Sequence, residues 1–372
     1  MLWNDTDFAI LNDHEGLEFF NADDKYSGLN EGPPIRRENS IPSNSEDRQK
    51  NELLDQSSTW KLNDRKAKLF FSMVQILPRP CTTLDNITRT GVCLSSVECS
   101  TRTGVASGSC AQGLAVCCIL QKTCLQSTNI NDTFFVNPNY PEADVGAGAC
   151  SLTINRASND ICQMRVDFLQ LELSQPDANG QCISDFLTVT GGITDAPIIC
   201  GSNTGQHMYI DVDPNGGSVR LSVDRTAASV SDRIWNVRHI PCTSPFRAPR
   251  GCLQYYTETS GTVQSFNFNQ DINETSVPLA TRQVSGMDYS VCVQMAEGYC
   301  SIMWSRNLTG GDYGFTVSHA VDGVDPALIG TPSSSTTGIN CTTDYVVIPG
   351  GVDDTGLSVD RYCGYGFPNS VT

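Results

Sequence analysis

Lysine does not occur after Lys122, histidine occurs four times in 372 residues, and no two cysteines stand in a Cys-x-x-Cys pair. The first absence, with a net charge of −17, leaves a surface that repels phosphate backbones and excludes nucleic acid as a partner. The other two remove the spacing and the ligands of a structural zinc site. No apolar run approaches the roughly 20 residues that span a bilayer. The opening stretch MLWNDTDFAILNDHEG has neither the basic segment nor the apolar core of a signal peptide, so the expectation is that the true start is missing.

Catalytic signatures are missing too. A serine protease needs a nucleophilic serine, a histidine base and an orienting aspartate, and no segment of the GDSGG or TAAHC kind is present. His14 lies in a polar leader, His207 in a strand-like run, His239 near a domain end, and His319 in FTVSHA without a recognisable Ser or Cys partner. The reading is that the chain is not an enzyme.

What is abundant is cysteine. Seventeen of them, without metal-site spacing, point to disulfides and an oxidising, extracellular compartment. The sequons at Asn4, Asn86, Asn131, Asn273, Asn307 and Asn340 fit secretion as glycosylation candidates. The acidic balance permits a bound cation or a partner offering a basic side chain.

Residues 1–80 are polar and poor in periodic apolar pattern, and are expected to be a largely disordered leader. The dibasic Arg36–Arg37 is a candidate processing site, and Lys68–Leu77 a short element of undecided type. Residues 81–118 carry six cysteines, too small a unit to fold without covalent staples. Spacing alone leaves their pairing open. Further on, Met164, Val166 and Phe168 alternate with polar residues, and the phase then slips to Leu169, Leu171 and Leu173. That is a half-buried strand with a bulge near Phe168. Val219, Leu221 and Val223 alternate likewise, with Asp224 following. The Pro-containing linker Thr243–Gly251 marks a boundary. After it, CTTDYVVIPGG and YCG echo CISDFLTVTGG and ICG, an internal repeat.

Residues 123–242 resemble a CUB domain, an extracellular β-sandwich module. The carriers are NPNYP (Asn137–Pro141), CSLTI (Cys150–Ile154), Cys182–Asp185, IICG (Ile198–Gly201) and LSVD (Leu221–Asp224). Cys162, Cys242, GQHMYIDV and the Trp235 segment are similar to the CUB proteins of arthropods, with Trp235 read as a core residue. Residues 251–372 resemble a second such unit, expected to be C-terminally truncated, with sheet edges left open. Residues 81–118, through GVC, VEC, GSCAQG and VCC, resemble a clip domain. The fold expected is therefore all-β: jelly-roll sandwiches, a disulfide-stapled clip-like module and a disordered leader.

The clip resemblance implies the bridges Cys81–Cys117, Cys93–Cys110 and Cys99–Cys118. The CUB resemblance implies Cys124–Cys150 and Cys182–Cys200, which leaves Cys162 and Cys242 to each other. In the second unit Cys341–Cys363 and Cys292–Cys300 are expected, with Cys252 unpaired. CUB domains that bind calcium use a Glu and two Asp at one end, and the matching residues are Glu172, Asp185 and Asp224. Calcium takes six to eight oxygen ligands, which such carboxylates supply. Asp144 stands where the family often has a supporting Tyr. Asp344 matches Asp185, but no Glu accompanies it, so the second unit is expected to lack a site. The resemblance implies a secreted, non-catalytic protein that recognises a partner's basic side chain through calcium-ordered loops. Two other readings are the regulatory region of a clip/CUB serine protease and a structural component of the extracellular matrix.

Overall fold

The computed structural model describes residues 6–11, 16–21, 76, 79–84, 90–140, 142, 144, 146–213, 215–225, 233–241, 244–268, 281–308, 314–317 and 324–372, with backbone alone for 6–11, 16–21 and 233–241. These residues fall within one compact unit. Arg36–Arg37, most of Lys68–Leu77, His14, His319, Asn4, Asn86, Asn273, Cys242 and the side chains of Trp235 and His239 lie outside what is described. The fold is all-β, as the alternating runs predict.

In chain order the strands begin with β1 (Thr6–Leu11) and β2 (Gly16–Asn21). The six-cysteine module follows: β3 (Pro80–Thr82), β4 (Thr90–Leu94), a short helix α1 (Ser96–Thr101), β5 (Gly104–Cys110) and β6 (Ala115–Lys122). Ser95 caps α1, its hydroxyl accepting the Glu98 backbone N–H, and the buried Cys99 points to Leu94, Cys118 and Leu120. Bridges Cys81–Cys117, Cys93–Cys110 and Cys99–Cys118 tie this small core. Each such bridge contributes roughly 2–4 kcal/mol where the apolar core is too small to suffice.

The first sandwich is built from β7 (Gln126–Thr128), β8 (Thr133–Val136), β9 (Cys150–Ile154), β10 (Ile161–Leu171), β11 (Asp185–Thr190), β12 (His207–Asp211), β13 (Val219–Arg225) and β14 (Arg233–Pro241). One sheet runs β7-β9-β13-β11, and the other runs β8-β14-β10-β12. β6 joins β8 in parallel, so the second sheet continues into the cysteine module. The inner faces carry Leu152, Ile154, Met164, Val166, Phe168, Met208, Ile210, Leu221 and Val223, all buried. Burial of each such side chain stabilises the fold by about 1.5–3 kcal/mol. The pairing of β10 with β14 shifts register between Phe168 and Gln170, where the phase slip lies. Leu169 is the extra residue and packs outside, against the cluster of Ile119, Phe134 and Val136. Bridges Cys124–Cys150 and Cys182–Cys200 staple this sandwich, and Cys162 is bonded as well.

The second sandwich comprises β15 (Cys252–Tyr256), β16 (Ser260–Gln264), β17 (Tyr289–Gln294), β18 (Ile302–Arg306), β19 (Ser335–Thr337), β20 (Val346–Val347) and β21 (Arg361–Gly364). Its sheets run β15-β17-β1-β20-β21-β19 and β16-β2-β18. Two expectations are corrected here. Residues 6–11 and 16–21, read as part of a disordered leader, are central strands of this sandwich. The edges expected to stand open between β17 and β20, and between β16 and β18, are filled by β1 and β2. The apolar patches FAIL and LEFF are too short to signal strands alone, but each has a partner on both sides.

The cysteine pairing is corrected too. Cys292 bonds Cys252, not Cys300, and Cys252 is therefore not an unpaired thiol. β15 and β17 lie parallel, which brings Cys252 and Cys292 to a Cα separation of 5.7 Å. Cys124 and Cys150 are related in the same way through the parallel pair β7 and β9. Cys300 sits in the exposed turn leading into β18, and Cys341 bonds Cys363.

Candidate functional site

The three acids expected to share a cation divide among different surfaces. Asp185 opens β11 directly opposite Arg225 of β13, and Asp224 is opposite Phe186. Strand alternation then sends Asp185 to the inner face, where it is 1% exposed, and Asp224 to the outer face, where it is half-buried. Asp224 accepts a hydrogen bond from the Ser222 hydroxyl at 3.2 Å, and Asp185 accepts one from Ser174 at 2.7 Å. Glu172, just past the end of β10, is half-buried, and one carboxylate oxygen accepts from Thr204 at 2.6 Å and Ser202 at 3.0 Å. Among the described residues, no three His, Cys, Asp or Glu side chains gather closely enough to hold a metal ion.

A different cation occupies this end of the sandwich. The Arg225 guanidinium pairs with the Asp144 carboxylate at 2.8 Å, both side chains being 5% exposed. Asp144 also accepts the backbone N–H of Gly146 at 3.0 Å, and the Gly148 N–H donates to the Arg225 carbonyl at 2.9 Å. The loop before β9 is thereby closed onto the end of β13. A Cβ on Gly146 would meet both Asp144 and Arg225 at 3.3 Å, so the chain passes tight against the pair. The three expected acids do not fit calcium as a donor set: Asp185 faces the core, Asp224 faces outward, and Glu172 is engaged by Thr204 and Ser202. Asp144 marks the position where the family resemblance expects a tyrosine. Arg225 went unnoticed, although Val219, Leu221, Val223 and Arg225 share one phase, and that phase placed it on the core face.

The other prominent feature is the junction of the two sandwiches. Strand β12, all of it buried, turns Met208 and Ile210 to its own core, while Tyr209 packs with Ala248, Cys252, Tyr255 and Cys292. The His207 Nε2 accepts the Tyr255 backbone N–H at 3.1 Å, which engages the imidazole in the junction. Asn267, fully buried with φ +62°, donates from its side chain to Gln175 at 2.9 Å and to the Arg282 carbonyl at 2.7 Å. Its side-chain Oδ1 accepts the Ser202 N–H at 2.8 Å, and its backbone N–H donates to Asn203 Oδ1 at 2.9 Å. Gly201, at φ +76°, is required there: a Cβ would overlap the Asn267 amide. Beside the junction lies an open cleft of about 960 Å³, bordered by Arg247, Arg250, Tyr255, Met295, Glu297 and Tyr299.

The comparison with known families reaches one part of this chain. Residues 249–372 match the family model of the animal CUB domain. Among solved structures, the chain is similar to the CUB1-EGF-CUB2 domains of rat MASP-1, at a TM-score of 0.26 and 12% identity. That match covers 35% of this chain and 48% of that one, so it spans about half of the MASP-1 structure. No curated protein matches the chain. The family model covers β15 to β21 of the second sandwich with the end of the linker before them, and not β1 or β2.

Of the sequons, Asn131 is exposed on the turn between β7 and β8, and Asn340 is exposed in the turn before Cys341. Asn307 is 5% exposed, which corrects its standing as a glycan acceptor: a buried amide has no room for a sugar. No helix among the described residues is long and apolar enough to cross a membrane.

Proposed function

We propose that this chain is a secreted, non-catalytic binding protein, recognising an extracellular protein through the loops at the Asp144–Arg225 end of the first sandwich. The observation that carries the reading is the animal CUB match over 249–372, in a chain whose β-modules are stapled throughout by disulfides. Glu172 and Asp224 remain half-exposed there and offer carboxylates to a basic side chain of the partner. Calcium was the expected organiser of these loops. The buried guanidinium supports a reading in which the loops are ordered by the chain's own Arg225 and recognition proceeds without the metal. Attraction between exposed charges of this kind weakens with salt.

The test is retention of the full chain on a lysine-bearing surface, compared with a neutral one. Wild type is expected to be held at low salt and released as salt rises, with or without chelator. The double substitution Glu172→Gln and Asp224→Asn should lower retention about tenfold while the melting temperature is kept. Equal retention of that variant would remove this end of the sandwich from the account.

A further inference from the structure

Strands β1 and β2 are held differently from the rest of the second sandwich. Their neighbours are covalently anchored: Cys252–Cys292 ties β15 to β17, and Cys341–Cys363 secures β21. The first cysteine of the chain is Cys81, so no bridge reaches residues 1–80. Both strands are nevertheless central. β1 pairs antiparallel with β17, from Thr6 opposite Gln294 to Leu11 opposite Tyr289, and with β20 on its other side. β2 pairs antiparallel with β16 and β18.

The places they take are those that β13 and β14 hold in the first sandwich. There β13 lies antiparallel between β9 and β11, and β14 lies antiparallel between β8 and β10. Without these two strands, β17, β20, β16 and β18 would each present an unpaired edge, and such edges template the addition of another strand. What completes the sandwich is thus a two-strand segment from the far end of the chain, one strand in each sheet, fixed by no disulfide.

An element that is identical in every copy, separable in sequence and held without covalent links can be exchanged between copies at little enthalpic cost. We propose that the C-terminal sandwich is a strand-acceptor site, and that its alternative occupant is the N-terminal β1–β2 segment of a second copy of this chain. Exchange in both directions gives a closed twofold dimer in which each segment completes the partner's sandwich. Closure within one chain is favoured when the protein is dilute, because a tethered segment has an effective concentration on the order of mM. Exchange is therefore set during folding at high protein concentration. This inference is independent of the proposed recognition function.

Two full-length variants test it, Thr6→Cys and Gln294→Cys, which stand opposite each other across β1 and β17. Refolded together at high concentration and oxidised, they are expected to give a covalent heterodimer on a non-reducing gel, reduced at least tenfold on dilution before refolding. Neither variant alone, nor either with wild type, should give that species. A chain carrying both substitutions is expected to cross-link internally when refolded dilute. If that double variant closes on itself but the mixture gives no heterodimer at any concentration, exchange is overturned. If the double variant does not cross-link either, β1 does not occupy the acceptor and the proposal fails at its base.

Discussion

The strand between β9 and β11 is β13, a later piece of the same continuous segment, whereas the strand between β17 and β20 is β1, at the opposite end of the chain. The two sandwiches otherwise follow one plan. A parallel pair carries the first bridge, Cys124–Cys150 in one and Cys252–Cys292 in the other. An antiparallel strand then fills the centre of each sheet. What differs is the origin of the central strands and therefore what secures them. In the first sandwich the neighbouring chain is held by the bridge of Cys162 and by the buried Asp144–Arg225 pair at the end of β13. In the second, backbone pairing holds β1 and β2 without any disulfide. The position in the sheet, with its two waiting ladders, selects the strand; adjacency in sequence does not.

The comparison is broken most directly by removing a ladder donor from each central strand. Proline has no N–H and is not tolerated in the middle of a sheet. Ala9→Pro in β1 and Ser222→Pro in β13 should each lower stability by roughly 4 kcal/mol or more, at the upper end of single substitutions. Hydrogen exchange separates the two. With Ala9→Pro, the amides of β17 and β20 should lose protection while those of β9 and β11 keep it, and Ser222→Pro should show the reverse. Unchanged protection of β17 in Ala9→Pro would mean that β1 is not a structural strand of the second sandwich.

Most of the fold could be read from residues because burial imposes a period. The alternation of Met164, Val166 and Phe168, the slip after Phe168, and the run Val219–Val223 are direct imprints of a one-sided strand. The segment of β1 and β2 is invisible by the same criterion. Its strands are six residues each, within a polar stretch, and their partners lie more than two hundred residues away. The candidate site was legible in part. Asp185 and Asp224 were located at the right strands, but adjacent strand positions point to opposite faces, and Asp185 pairs in register with Arg225 while Asp224 does not. Asn267 left no signal, since its role depends on a left-handed backbone and on partners from the other sandwich. The misassigned bridge came from preferring the nearest cysteine in sequence, where a parallel strand pair decides the matter in space.

The second way to sharpen the comparison uses the ion pair, a feature of the first sandwich. Arg225→Met leaves the Asp144 carboxylate buried without its partner, which costs about 3–5 kcal/mol. Replacing both residues, Asp144→Leu with Arg225→Met, should recover most of that loss, because a buried pair is often matched by apolar groups of similar volume. Calcium supplies a further control. Millimolar calcium should leave the melting temperature of wild type unchanged, since the guanidinium already neutralises the Asp144 carboxylate and the three expected acids do not converge. A rise of several degrees in wild type would show that calcium binds in spite of the guanidinium, and would restore the metal to this end of the sandwich.

The smallest expected effect is an alkaline one, and it falls on the second sandwich. Burial, the largest cause, pushes the phenols of Tyr256 and Tyr362 up to about 12 from an ordinary 10.0. Below pH 10 both phenols are protonated in the folded and unfolded chain alike, so they contribute no pH dependence. Between pH 10 and about 12 the unfolded chain releases these protons while the folded chain retains them, and stability falls as pH rises. Above about 12 the folded phenols ionise too and the decline levels off. Tyr362 is fully buried and Tyr256 is half-buried, so solvent discounts the share of Tyr256. The measurement is the melting temperature of wild type and Tyr256→Phe at steps from pH 9 to 12. The fall should be shallower in the variant, and parallel curves would show that the Tyr256 phenol is not held in its neutral form by the fold.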